Sequence, residues 1–120
     1  MGHLPEDQTL TYHMFLDDVR NPDWVYPDQD TSDWIVCRTV PEAQHVIEDL
    51  GWPEFLSFDH DLGDQIPTGY DLAHWLVERD LDQADMPDHF EFKIHSANGP
   101  GRKNIDGLLK SYLDFKRKYR

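Results

Sequence analysis

The feature that most restricts this chain is a repeated pattern, a short apolar run that stops abruptly at a polar, chemistry-bearing pair. Tyr12 to Leu16 reads YHMFL and ends in Asp17-Asp18. Glu54 to Phe58 reads EFLSF and ends in Asp59-His60-Asp61, while His89 to Ile94, the alternating run HFEFKI, ends in His95-Ser96. Short, aromatic-rich runs of this kind read as strands, and near-continuous apolarity marks strands buried in a parallel sheet. Asp33 to Arg38 (DWIVCR) is a further β-rich run. The stretches between them have helical spacing. From Pro41 the segment PEAQHVIEDL places Ala43, Val46, Ile47 and Leu50 on one face, with Gly51 as a stop. Thr68 can cap a helix through Ala73, Trp75, Leu76 and Val77. Residues 102–118 place Ile105, Leu108, Leu109, Tyr112, Leu113 and Phe115 on an apolar side. Residues 20–32 and 81–88 read as connections, HSANGPG as a tight glycine-rich turn, and residues 1–11 as polar and loose.

Strands alternating with helices predict an α/β fold with a parallel sheet. The link from the first strand to the second is the exception, with a loop in place of a helix. In open parallel sheets the ligand site lies beyond the carboxyl ends of the strands. Asp17, Asp18, Asp59, Asp61, His95 and Ser96 all fall just past such ends.

Bulk properties narrow the function classes. The 120 residues fit one domain. No apolar run approaches the ~18 residues that span a bilayer, and the start of the chain lacks a basic region followed by an apolar stretch, so no membrane association or secretory signal is expected. With Cys37 as the only cysteine no internal disulfide can form, which makes a cytoplasmic setting the expectation. A net charge of −13 argues against general nucleic-acid binding. The charge is unevenly spread: residues 1–92 hold 22 acids and three bases, whereas residues 93–120 hold eight bases and two acids. Either those cations are a solvated tail or some of them face the acidic site or a phosphate-bearing partner.

Two adjacent carboxylates at the end of a buried strand repel each other, and burial worsens the penalty. A hard divalent cation removes it, and Mg²⁺ (or Mn²⁺) favours a few carboxylates plus waters and phosphate oxygens. Asp17, Asp18 and Asp59 are therefore candidate metal ligands. Asp59 can alternatively attack phosphorus as a nucleophile. His60 can act as acid, base or hydrogen-bond partner, and Asp61 as ligand, base or turn cap. Ser96 and Asn98 can hold phosphate oxygens, helped by backbone N–H groups at the start of the last helix. Arg102 and Lys103, read as lying in that first turn, oppose the helix dipole, a conflict that a bound anion relieves. His13 and His45 read as structural, the tryptophans as packing, and Cys37 as a small core residue. No Walker loop, dinucleotide fingerprint or zinc-ligand spacing is present.

Taken together, FLDD, EFLSFDHDLGDQIPTGYDLAHWL and FKIHSAN resemble a response-regulator receiver domain. The combination of LDDVRNP, FDHDLG with a later TGYDLA, and HSANGPGRKNI resembles the cyclic-phosphate processing receiver-like family more closely, over roughly residues 13–113. The resemblance implies a flavodoxin-like open sheet of about four strands in the order 2-1-3-4, lacking the first helix and the fifth strand with its terminal lysine. It implies Asp17, Asp18, Asp59, Asp61, His95, Ser96 and Asn98 as site residues, with Arg20 and His60 beside them. It also implies action on cyclic or terminal phosphates of nucleotides or RNA ends. Three functions remain open on this reading: a metal-dependent phosphoesterase, with Asp59, His95, His60 and Asp61 in catalysis and Ser96, Asn98, Arg102 and Arg20 on the substrate; a non-catalytic nucleotide- or protein-binding module; and a phosphoacceptor receiver using Asp59.

Overall fold

A computed structural model describes residues 11–59, 61–62, 68–96 and 99–119. His60, Ala97, Asn98, Arg120 and residues 1–10 and 63–67 lie outside the described residues. The chain forms β1 (His13–Leu16), α1 (Pro22–Val25), β2 (Ile35–Cys37), α2 (Val40–Leu50), β3 (Phe55–Phe58), α3 (Gly69–Gln83), β4 (Glu91–Ile94) and α4 (Gly99–Tyr119). The strands make one parallel sheet in the order β2-β1-β3-β4. The expected four-stranded order is thus the observed one.

The register fixes where chemistry collects. Leu16 lies opposite Cys37 on one side and Phe58 on the other, and Phe58 lies opposite Ile94. Three strands therefore end level with one another, and Asp17, Asp59 and His95 each follow as the next residue. Backbone bonds extend the pairing one step further, since the Asp17 N–H donates to the Cys37 carbonyl, Asp59 to Leu16, and His95 to Phe58.

Side chains alternate across the sheet. Met14, Leu16, Leu56 and Phe58 face α2, α3 and α4, where they join Ile47, Leu72, Leu76, Ile105 and Leu109 in one core. His13, Phe15, Phe55, Ser57, Glu91 and Lys93 fall on the other face, which has no long helix over it among the described residues. There Tyr26 and Trp34, from the segment between β1 and β2, pack against His13, Phe15 and Phe55 with ring centroids 5.1–6.4 Å apart. Cys37 is fully buried, and burial pushes its thiol up to about 12, as suits a core residue.

Local chemistry explains the helix limits. The Thr39 side chain accepts from the Glu42 N–H to start α2, and Gly51 ends it at φ 85°, donating to the Ile47 carbonyl. Thr68 and Asp71 form a reciprocal capping box at the start of α3.

Three boundaries differ from expectation by more than the trimming of strand ends. Within residues 20–32, Pro22–Val25 makes a single helical turn, for which Pro22 at the first position is pre-organised. Helix α3 does not stop before the acidic 81–88 segment but runs to Gln83 and ends on Ala84 in the left-handed region. Tertiary contacts hold that extra turn: Asp80 is fully buried and takes hydrogen bonds from the Met86 N–H (2.8 Å) and the Tyr112 hydroxyl (2.6 Å), with Lys116 Nζ at 2.8 Å. Helix α4 begins at Gly99, so the GPG triplet is its first turn rather than a preceding loop. Pro100 needs no intrahelical donor there. Lys103 accordingly falls beyond the first turn.

Candidate functional site

Asp17, Asp18 and Asp59 converge: one carboxylate oxygen from each lies within 4.8 Å of the other two. Asp17 is fully buried, Asp59 is 6% exposed and Asp18 is half-buried. The strand ends carry two of them to the same level, and the sharp exit of the chain after Leu16 brings the third.

Asp17 is the best anchored of the three. Its Oδ1 accepts from the backbone N–H of Val19 (2.9 Å) and of Arg20 (2.8 Å), an aspartate-closed turn. Its Oδ2 accepts from Arg20 Nε (2.8 Å) and lies 3.0 Å from His95 Nε2. Burial by itself raises the Asp17 pKa; the Arg20 and Val19 amides, His95 and the Arg20 guanidinium outweigh it and hold the carboxyl below the ordinary value. Arg20 also reaches Asp59, with Nη2 3.4 Å from Oδ2. Its charge therefore sits between the two buried aspartates.

His95 is packed rather than free. Its side chain is 4% exposed and stacks on Phe15, the ring planes 1° apart and the centroids 4.5 Å apart. Burial lowers its pKa, and the opposing pull of Asp17 does not restore it, so the ring is neutral near pH 7. The tautomer follows from the partners. An ionised Asp17 can only accept, so Nε2 carries the proton and donates to it. Nδ1 must then accept, and its partner is the Ser57 hydroxyl at 2.7 Å. Ser57 Oγ, its proton committed to His95, accepts from the Tyr26 hydroxyl at 2.7 Å. The chain of donors runs Tyr26 to Ser57 to His95 to Asp17.

Three contributors escaped the sequence reading. Ser57 had a signal, since it is the one hydroxyl in the apolar run EFLSF and alternation turns it away from Leu56 and Phe58. Tyr26 lies in a loop-like segment with no periodicity to place it. Arg38 follows β2 and donates through its guanidinium to the carbonyls of Asp17 and Arg20 and to the Asn21 side chain (2.6 Å). It thereby fastens the segment that carries Asp17, Asp18 and Arg20.

The other expected site residues divide. Ser96 is buried just past β4. Asp61 is exposed, and its N–H lies 3.4 Å from Asp59 Oδ1. Arg102 is exposed and lines the groove between α4 and β4. His60 and Asn98 belong to the undescribed positions.

The residues fit a small divalent cation in kind: three clustered carboxylates, two of them buried. They do not offer Asp17 freely. A carboxylate has about four acceptor positions, and Val19, Arg20 (twice) and His95 engage all of them. Entry of an ion requires Arg20 or His95 to give up Oδ2.

Comparison with known proteins agrees with this architecture. The model of a family described as the cyclic-phosphate processing receiver domain matches residues 12–111. No curated protein matches the chain. A solved fusion that includes yeast Spc42 trimeric coiled-coil amino acids 181–211 aligns over 90% of this chain and 82% of its own, at 10% identity and a TM-score of 0.47. That likeness is too weak to bear on function.

Proposed function

The chain belongs to the cyclic-phosphate processing receiver domain family, and from that membership and the site geometry we propose that it is a metal-dependent phosphoesterase acting on cyclic or terminal phosphates of nucleotides or RNA ends. The observation that carries the proposal is the convergence of Asp17, Asp18 and Asp59 within 4.8 Å. These three carboxylates would hold Mg²⁺ or Mn²⁺. Bound there, the ion would supply Lewis-acid polarisation of a phosphoryl oxygen.

The remaining tasks fall to the chain itself. Arg20 is the cation set between the aspartates. Released from Asp17 and Asp59, its guanidinium can pair with two phosphate oxygens. His95 holds the Asp17 carboxylate in one orientation through Nε2–H, and Ser57 and Tyr26 hold His95 in the tautomer that does so. In this role His95 is a positioning residue rather than a direct proton donor. Proton transfer between the attacking water and the departing sugar oxygen then rests on Asp61 and His60, which follow Asp59 directly. Ser96, just past β4, and Asn98, two residues on in sequence, would complete the phosphate contacts with the first amides of α4.

A second reading has its own observation. Arg20 already pairs with both Asp17 and Asp59 without an ion, which suits a binding module that takes up a phosphorylated ligand and does no chemistry. One pair of measurements separates the two. Calorimetry with Mn²⁺ establishes whether Asp17, Asp18 and Asp59 bind metal, with Asp17→Asn as the control. A panel of 2′,3′-cyclic nucleotides and cyclic-ended oligonucleotides is then assayed for opened product. Metal binding with no turnover across the panel would falsify the esterase and leave the binding module. Turnover that survives Asp17→Asn places the chemistry elsewhere.

A further inference from the structure

The sheet order leaves β4 at an edge, and among the described residues no strand pairs with its outer side. Glu91 and His95 donate their N–H groups inward, to the Glu54 and Phe58 carbonyls. Residues between them in a strand turn the opposite way, so Phe92 and Ile94 present N–H and C=O groups to the outside. Edge strands are usually blunted by a proline, a bulge or a covering element, because they template further pairing. β4 is regular, contains no proline, and opens onto a groove of about 930 Å³ between the edge and α4.

The groove has a floor and a rim. Phe92, Ile94 and Leu113 are half-exposed and apolar. Arg102, Lys103, Lys110 and Arg117 line it from α4. Two acids also line it, Glu91 and Asp106, the latter 3.1 Å from Lys110. Cations outnumber acids here in a chain whose net charge is −13. At ~1.5 Å per residue, Arg102 to Arg117 covers about 22 Å of helix, enough to run alongside a strand of four to six residues at ~3.3 Å each.

We propose that this groove is a docking site for an extended, acidic segment of a partner protein, which pairs with β4 as a fifth strand. The free edge calls for alternating amide donors and carbonyl acceptors, which a polypeptide has and a nucleic acid lacks. The apolar floor takes one face of such a strand, and the α4 cations take acidic side chains on its flank. The site lies on the outer side of β4, apart from the three aspartates, and the proposal holds whether or not those residues turn over a substrate.

The test is a titration of the isotopically labelled full chain, read by backbone amide shifts. The probe is a capped heptapeptide alternating glutamate and valine. Comparators are the same peptide N-methylated at alternate amides, a lysine–valine peptide, and an oligouridylate. Shifts centred on the Phe92 and Ile94 amides are expected, with Kd of roughly 10–500 μM and about tenfold weakening from ~50 to ~200 mM salt. N-methylation should cost at least about tenfold, since it removes the pairing donors. Charge reversal by Lys110→Glu with Arg117→Glu should cost about as much while the amide spectrum stays folded. No binding at millimolar peptide overturns the proposal. Equal binding of the N-methylated peptide overturns strand pairing, and tighter binding of oligouridylate to the same amides assigns the groove to nucleic acid instead.

Discussion

On the helix side of the sheet, Met14, Leu16, Leu56 and Phe58 join aliphatic residues of three helices in one buried cluster. On the other side, Phe15, Ser57 and His95 meet Tyr26 and Trp34 through stacked and tilted rings and a line of hydrogen bonds. That second face also keeps a cavity of about 380 Å³ bounded by His13, Trp34 and Phe55. The same strands supply both faces; alternation sorts their side chains, and the elements packed on each side complete the contrast. The helix side holds the strands together through burial. The open side spends its polar side chains on orienting one carboxylate, Asp17. Substitutions on the two sides should therefore fail differently: the first kind loses stability and leaves the surviving folded fraction intact, the second keeps the fold and loosens the site.

The largest expected effect is on the helix side. Leu76→Ala empties a fully buried position in α3 and should cost about 3 kcal/mol, read by urea denaturation, while metal affinity of the folded protein stays unchanged. A loss of affinity without a loss of stability would break the comparison. Next comes Asp80→Asn, which leaves Lys116 without its buried partner between α3 and α4. It should cost about 2–3 kcal/mol and again spare the site.

The open side gives smaller stability changes and larger site effects. His95→Gln should lower Mn²⁺ affinity by about 10–100-fold with only modest loss of stability, because it removes the group that orients Asp17. Tyr26→Phe is the mildest. It removes one donor from the Ser57 hydroxyl, should cost about 1 kcal/mol, and should shift metal affinity in the same direction as His95→Gln but less. An unchanged affinity in both variants would show that the donor chain has no bearing on Asp17.

The pH dependence singles out His95 on the open side. His95, Asp17 and Asp80 all have pKa values held below their ordinary ones in the fold. The unfolded chain binds these protons more readily, so stability is complete above the unfolded values and declines as pH falls. Metal-free protein should lose stability in two stages. The first begins below about pH 6.5, from His95, and the second below about pH 4, from Asp17 and Asp80. His95→Gln should abolish the first stage and leave the second.

Much of this was legible in the residues. The four apolar runs, their abrupt polar ends and the helical spacing between them announced a parallel α/β sheet, and the register carried Asp17, Asp59, His95 and Ser96 to the strand ends where they were expected. Thr68 and Gly51 marked helix limits because capping is local chemistry, decided within three or four residues. The end of α3 was not legible, because Asp80 reads as an ordinary acid until Tyr112 and Lys116 of α4 close over it. Nor were the partners of His95. As a histidine past a strand end it invites a proton-transfer assignment, and only the positions of Phe15, Ser57 and Asp17 show that both ring nitrogens are engaged.

The sequence by itself determined which residues stand at the carboxyl ends of the strands, since hydrophobic period and strand length are properties of short segments. Tertiary structure alone decided what those residues are bonded to. It set Arg20 between Asp17 and Asp59, ran a donor chain from Tyr26 across 31 residues to Ser57 and a further 38 to His95, and left β4 as an open edge. The physical reason is one of range. Propensity and capping act over a few residues, whereas hydrogen-bond saturation, burial and strand order depend on which distant segments the folded chain brings side by side.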